Sequence, residues 1–164
     1  MSEDVIDAIG GLAPGGRLAA LRRQRPDYVK YTQSSHDVLL SPDDPGGLSL
    51  VERAAAALRV AVVHDDAALA AHYRARLDAV GGAEVQPLIE SLAEAVPASR
   101  LSAILHHADL AARAPGRARP THLEALRAAG LTPRDVVALS QLIAFVSYQA
   151  RVLAGLRLLH AEGA

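Results

Sequence analysis

The side chains able to move protons or hold charge fall in a few short segments. His72 lies in Leu69-Ala-Ala-His72-Tyr73-Arg74, where an imidazole can transfer a proton near neutral pH; a packed structural histidine is the competing reading, and the one that spacing alone favours. His64-Asp65-Asp66 separates two helical stretches, and one of these aspartates is expected to cap the helix that follows. His64, an aspartate and His72 would suit zinc or iron, but no His-x-x-x-His or His-Glu-x-x-His spacing supports such a site, and no metal is expected. His106 and His107 are adjacent, so on a helix they point about 100° apart and cannot readily share one ion. Arg151 lies among apolar residues and calls for an ion-pair partner in another helix or subunit, or for a ligand carboxylate. Ser34, Ser35, Ser49, Ser140 and Ser147 have no Gly-x-Ser-x-Gly surroundings, so no hydrolase triad is expected.

Composition removes other chemistries. The chain has no cysteine, which excludes disulfides, thiolate metal sites and thiol redox catalysis. Lys30 is the only lysine, so a Schiff-base mechanism elsewhere is excluded. With 17 basic and 18 acidic side chains there is no global field to draw nucleic acid or anionic lipid. Arg17, Arg22, Arg23 and Arg25 therefore read as a solvated face salt-bridged to its neighbours. The beginning, Met1-Ser-Glu-Asp-Val, lacks the basic flank and apolar run of a signal peptide, and a cytoplasmic location is expected.

These residues must be positioned by helices. Half the side chains are hydrophobic and alanine is prominent among them, as in Ala54 to Ala57, which favours closely packed helices. No segment alternates with period two long enough for a strand, and an all-α fold is predicted. Capping patterns at Ser49-Leu-Val-Glu52, Thr121-His-Leu-Glu124 and Thr132-Pro133-Arg-Asp135 mark helix starts, and Pro26, Gly81-Gly82, Pro115 and Gly130 mark stops. The predicted helices are 4–9, 16–25, 27–40, 49–63, 66–80, 87–95, 99–113, 121–129 and 133–160. The last is apolar on nearly every side but carries Ser140, Gln141, Ser147, Gln149, Arg151 and Arg157, too many polar groups for a membrane span. It is expected to be buried all round, one side by another subunit of a homo-oligomer.

Leu48-Ser-Leu-Val-Glu52-Arg53, Ala57-Leu58-Arg59-Val60-Ala61, Gly130-Leu131-Thr132-Pro133-Arg-Asp135-Val136, Ile143-Ala144-Phe145 and Tyr148-Gln-Ala-Arg151-Val152 occur in this order. Together they resemble the carboxymuconolactone decarboxylase and alkylhydroperoxidase D-like superfamily, over roughly residues 45 to 160 by these periodic blocks. The leading segment with Ala13-Pro-Gly15 and Leu21-Arg-Arg-Gln-Arg25-Pro26 is similar to a divergent peroxidase-related subgroup, whose members tend to occur beside a longer alkylhydroperoxidase-like relative. The resemblance implies an oligomeric bundle of about seven to nine helices, a dimer, trimer or hexamer. Residues 1–44 would be an N-terminal helical extension packing on the core, and 45–164 the decarboxylase-like helical domain.

The superfamily's hydroperoxidase branch uses a glutamate, a Cys-x-x-Cys pair and a histidine. Extending the match without gaps puts these positions on Ala54, Asp66, Leu69 and Tyr73; a one-residue slip restores His72 but puts Asp65 and Ala68 where cysteines belong. Thiol peroxidase activity of this chain alone is excluded in either register. Leu69-Ala-Ala-His72-Tyr-Arg74-Ala75-Arg-Leu77 matches the decarboxylase branch's Leu-x-x-His-x-Arg-Ala-x-Leu, although Leu142 replaces a histidine common in that branch. The resemblance implies His72 as acid/base with Glu52 and Arg74 nearby, and Arg151, Tyr148 and His64 as ligand-binding candidates. Cofactor-free acid/base chemistry on a small lactone or keto acid is the first expectation. The alternative is a non-catalytic structural or partner subunit of an alkylhydroperoxidase-like relative.

Overall fold

The computed structural model describes residues 4–91 and 99–163, and most helix starts in it are the caps written in the sequence. α1 (Val5–Gly10) is capped by Asp4, α4 (Leu50–Val63) by Ser49, α5 (Ala67–Ala79) by Asp66, α7 (Arg100–Arg113) by Ser99 and α9 (Pro133–Ala161) by Thr132. Each side chain accepts from backbone N–H groups that a helix start leaves unpaired, two in the case of Asp4 and one in the others. α2 (Arg17–Arg23), α3 (Pro26–Leu40), the short α6 (Gln86–Glu90) and α8 (Pro120–Ala128) complete nine α-helices among the described residues. Pro26 begins α3, since a proline in the first helical turn has no N–H to lose.

Two boundaries differ from expectation. α8 begins before Thr121, at Pro120: the ring presets φ, and the Arg119 N–H donates to His122 Nδ1 at 2.9 Å, leaving Thr121 inside the first turn. The predicted helix 87–95 is a 3₁₀ turn at Ala83–Val85 running into α6, and residues 92–95 lie outside the described residues.

α4 is the centre of the bundle. Ala54 to Leu58, Val60 and Ala61 are at most 1% exposed, and the small side chains let α5, α7 and α9 pack close around it. Arg53 and Arg59 are also buried on it. The Arg53 guanidinium donates to the carbonyls of Leu48, Leu39 and Pro45 at 2.9 to 3.0 Å, tying the loop after α3 to the core. Gly47 donates to Asp135 Oδ1 at 2.9 Å; a Cβ there would lie 2.6 Å from Asp135 Oδ2, so this approach of loop to α9 admits only glycine. The helices α1 to α3 lie against α4, α5 and α9.

α9 departs from expectation in one respect. By length and composition it is apolar enough to cross a bilayer, so its polar side chains do not by themselves exclude a span. Half of its most apolar stretch is buried against the other helices, through residues such as Leu139, Leu142, Val146 and Leu153. The opposite side is uncovered within one chain: Val137 is 58% and Leu158 69% exposed.

Candidate functional site

Thr32, His36 and Leu40 recur every fourth residue on α3 and face the bundle, Thr32 and Leu40 buried and His36 half-buried. His72, half-buried on α5, meets this stripe, and the two Nε2 atoms are 3.2 Å apart. His36 Nδ1 lies 3.1 Å from Asp37 Oδ1, and Asp37 Oδ1 also accepts from Gln33 Nε2 at 2.9 Å. An ionised carboxylate only accepts, so it sets the tautomers of both rings. With His36 neutral, its proton is on Nδ1 and is donated to Asp37, and its Nε2 accepts from His72 Nε2–H. His72 Nδ1 is left with the lone pair.

Burial, the neighbouring His36 and the Arg76 guanidinium, in that order, lower the pKa of His72 to about 4. The ring is therefore neutral at pH 7, and its Nδ1 is an unprotonated acceptor. Arg76, one turn beyond His72, donates to the Leu40 carbonyl and the Ser41 hydroxyl at the end of α3, while its buried Nε has no partner among the described residues. The rings of Tyr73 and Phe145 complete the surroundings, with Tyr73 edge-on to His72 at 5.0 Å and Phe145 6.5 Å from His36.

Glu52 and Arg74 are held elsewhere. Glu52 closes the capping box with Ser49 and receives Arg100 Nε at 2.7 Å; Arg100 also reaches the carbonyls of Ala129 and Gly47, so this cluster joins the starts of α4 and α7 to the end of α8. Arg74 follows His72 by two residues, about 200° around α5, and pairs with Glu90 at 2.9 Å. Arg76 is the guanidinium that lies on the His72 side.

His64 and Arg151 come together at a second point. His64 Nε2 is 3.0 Å from the buried Ser147 Oγ, and Arg151 donates to the Ser147 carbonyl at 3.3 Å. Burial first, then Arg151, lowers the His64 pKa. Arg151 is exposed and has no ion pair among the described residues. Tyr148, next to Ser147, points to the other side of α9, where its hydroxyl lies 3.0 Å from Thr32 Oγ1. It lines an open groove of about 440 Å³ between α3 and α9 with Tyr28, Tyr31 and Phe145.

His107 is half-buried with its pKa lowered by burial and by His122, and its Nδ1 has no hydrogen-bond partner among the described residues. Asp66 serves as the expected cap: it accepts from Leu69 N–H and both nitrogens of Arg157, each at 2.8 Å for the arginine. Among the described residues no group of three His, Cys, Asp or Glu side chains is arranged to hold a metal.

Ala54, Leu69 and Tyr73, three of the positions aligned with the hydroperoxidase relay, are core residues at most 1% exposed. Tyr73 donates to Gln149 Oε1 of α9 at the centre of the bundle, and burial raises its pKa. The fourth, Asp66, is the cap just described. Sequence reasoning missed His36, Asp37 and Arg76; the fourfold spacing of Thr32, His36 and Leu40 is the signal that would have turned His36 inward. The aromatic groove was missed as well, although Tyr28 with Tyr31 and Phe145 with Tyr148 are each three residues apart.

Two crystal structures share the fold. An uncharacterized peroxidase-related protein from Silicibacter sp. TM1040 is 18% identical with a TM-score of 0.70, over 80% of this chain and 69% of that one. An alkylhydroperoxidase AhpD core, an uncharacterized peroxidase-related protein from Ralstonia eutropha JMP134, is 22% identical with a TM-score of 0.70, over 80% and 70% of the two chains. No protein-family profile matches the chain. No curated protein matches it significantly. The architecture is the all-α alkylhydroperoxidase D-like fold, and at these identities the likeness speaks for fold and not for reaction.

Proposed function

We propose that this alkylhydroperoxidase-like protein carries out cofactor-free acid/base chemistry on a small lactone or keto acid, with His72 as the proton-transferring group. The observation that carries this reading is the Asp37–His36–His72 chain of hydrogen bonds. His72 Nδ1 takes a proton from the carbon next to the substrate carbonyl, and the electron pair of the broken C–H bond moves into the enolate. The imidazolium so formed keeps its Nε2–H on His36, whose Nδ1–H is anchored on the Asp37 carboxylate. The proton then returns from His72 to another atom of the delocalised anion, so no oxidant or metal is consumed. A conjugate acid with a pKa of about 4 gives its proton back readily. Such a weak base suits only substrates whose C–H is already acidified by two carbonyl groups or a conjugated lactone. Arg76 supplies the nearest positive charge for an anionic substrate.

The test is proton–deuterium exchange, followed by NMR, on a panel of β-keto acids and unsaturated lactones with purified protein. Activity should fall at least about 100-fold in His72→Gln; equal rates in the two proteins sink the reading.

A second reading, a non-catalytic subunit, draws support from two observations. Glu52 and Arg74 are spent on structural ion pairs, and the sides of α3 and α9 facing away from the bundle expose Tyr28, Tyr31, Val38 and Val137. This reading expects a homo-oligomer, or a complex with an alkylhydroperoxidase-like relative, built on that side. Size-exclusion chromatography with light scattering at micromolar concentration, alone and with such a relative, tests it; a monomer in both samples is the contrary result.

A further inference from the structure

The chain holds four tyrosines, one phenylalanine and no tryptophan, and four of these five rings line one groove. Tyr28 and Tyr31 stand one turn apart on α3, facing Phe145 and Tyr148 one turn apart on α9. Tyr73, the fifth ring, is in the core. Tyr28 and Tyr31 are 62% and 60% exposed. The groove is built: Thr32, 5% exposed, bonds to the Tyr148 hydroxyl and joins the two helices at its floor, and the Phe145 and Tyr148 ring centroids are 6.1 Å apart. Its volume, about 440 Å³, is that of a small-molecule site.

The charge on the wall selects the ligand. Asp27 is the single ionisable carboxylate lining the groove, and it has no ion pair or side-chain hydrogen bond among the described residues. Aromatic faces carry negative potential and attract cations. These rings do so within the molecule itself: Arg25 and Lys30 each lie 5.6 Å from a ring centroid, over Tyr28 and Tyr31. Ring faces around a free carboxylate oppose an anion and leave a neutral ligand without a partner for Asp27. An alkylammonium head satisfies both, because its diffuse charge meets the ring faces and the carboxylate without a strong hydration shell to lose.

We infer that the α3/α9 groove is a binding site for an organic cation with a quaternary or tertiary ammonium head, held by Tyr28, Tyr31, Phe145 and Tyr148 and oriented by Asp27. The site shares Phe145 with the surroundings of His36 but uses none of the His36–His72 hydrogen bonds, and it is tested separately from that chemistry.

The full chain is titrated with choline, tetramethylammonium and 3,3-dimethylbutan-1-ol, the uncharged isostere of choline, with tyrosine fluorescence and amide NMR shifts as readouts. Choline should bind saturably and about tenfold more tightly than the alcohol. Asp27→Asn should weaken choline about fivefold, and Tyr31→Ala at least as much, with unchanged far-ultraviolet circular dichroism. Both side chains are on the surface, so both variants should fold. Equal affinity for choline and the alcohol, or no saturable binding of either cation, overturns the inference. So does an oligomer that Tyr31→Ala dissociates while choline has no effect, because the groove would then be filled by a second copy of the chain.

Discussion

Protonating His72 should loosen the molecule, and the size of the effect follows from its surroundings. The folded protein lowers the His72 pKa from 6.5 to about 4. Between these values the unfolded chain binds the proton more tightly, so the contribution to stability is fully present above about pH 6.5 and is lost as the pH falls towards 4. At about 1.4 kcal/mol per pH unit the gap is worth at most about 3 kcal/mol. His72 is only half-buried, and screening by solvent brings the expectation to about 2 kcal/mol. His72→Gln removes the titration while its amide N–H still reaches His36 Nε2. Urea unfolding of parent and variant, followed by far-ultraviolet circular dichroism, should therefore be run from about pH 7.5 to about pH 4.5. His64 and His107, whose pKa values are lowered too, titrate in both proteins and cancel in the difference. The parent should lose about 2 kcal/mol relative to the variant over that range. A difference between parent and variant that stays constant with pH refutes the reasoning.

Two further perturbations test the frame that holds the site. Tyr73→Phe leaves Gln149 Oε1 buried without its donor, and Gln149 Nε2 already has no partner among the described residues, so the variant should be about 1–3 kcal/mol less stable to urea with an unchanged slope. Asp66→Ala removes the α5 cap and the Arg157 pair together and should cost about 2 kcal/mol, whereas Asp66→Asn, which can still cap, should cost about half as much. Burial alone would raise the Asp66 pKa, but Arg157 and the Leu69 and Ala68 backbone donors outweigh it and hold the carboxyl below its ordinary range. The asparagine variant should accordingly escape part of the parent's loss of stability below about pH 4, as followed by acid titration of the circular dichroism signal.

Much of the fold was legible because helix starts are local events. Ser49 with Glu52 and Thr132 with Asp135 form the capping boxes that their spacing announced, and the alanine run of α4 packs the centre of the bundle as small side chains should. Thr121 misled because proline at position 120 competes for the first helical turn and wins. The candidate site was half legible. His72 stood out by its neighbours in sequence, but its partner His36 is 36 residues away on another helix, a pairing that only the packing of α3 against the bundle creates. Glu52 and Arg74 have the right chemistry and the wrong surroundings: a capping box and Arg100 occupy the first, and Glu90 the second. The four-ring groove needed tertiary structure as well, since each helix contributes only one pair.

The central claim is that burial keeps His72 neutral and that its hydrogen bond to the Asp37-anchored His36 leaves its lone pair on Nδ1. Nitrogen-15 NMR of histidine-labelled protein, recorded from about pH 3.5 to about pH 8, reads the protonation of each ring nitrogen directly. The account predicts a His72 that titrates near 4 and, at neutral pH, protons on His72 Nε2 and His36 Nδ1 with His72 Nδ1 bare. A His72 that titrates near 6.5, or that carries its neutral-pH proton on Nδ1, would contradict it.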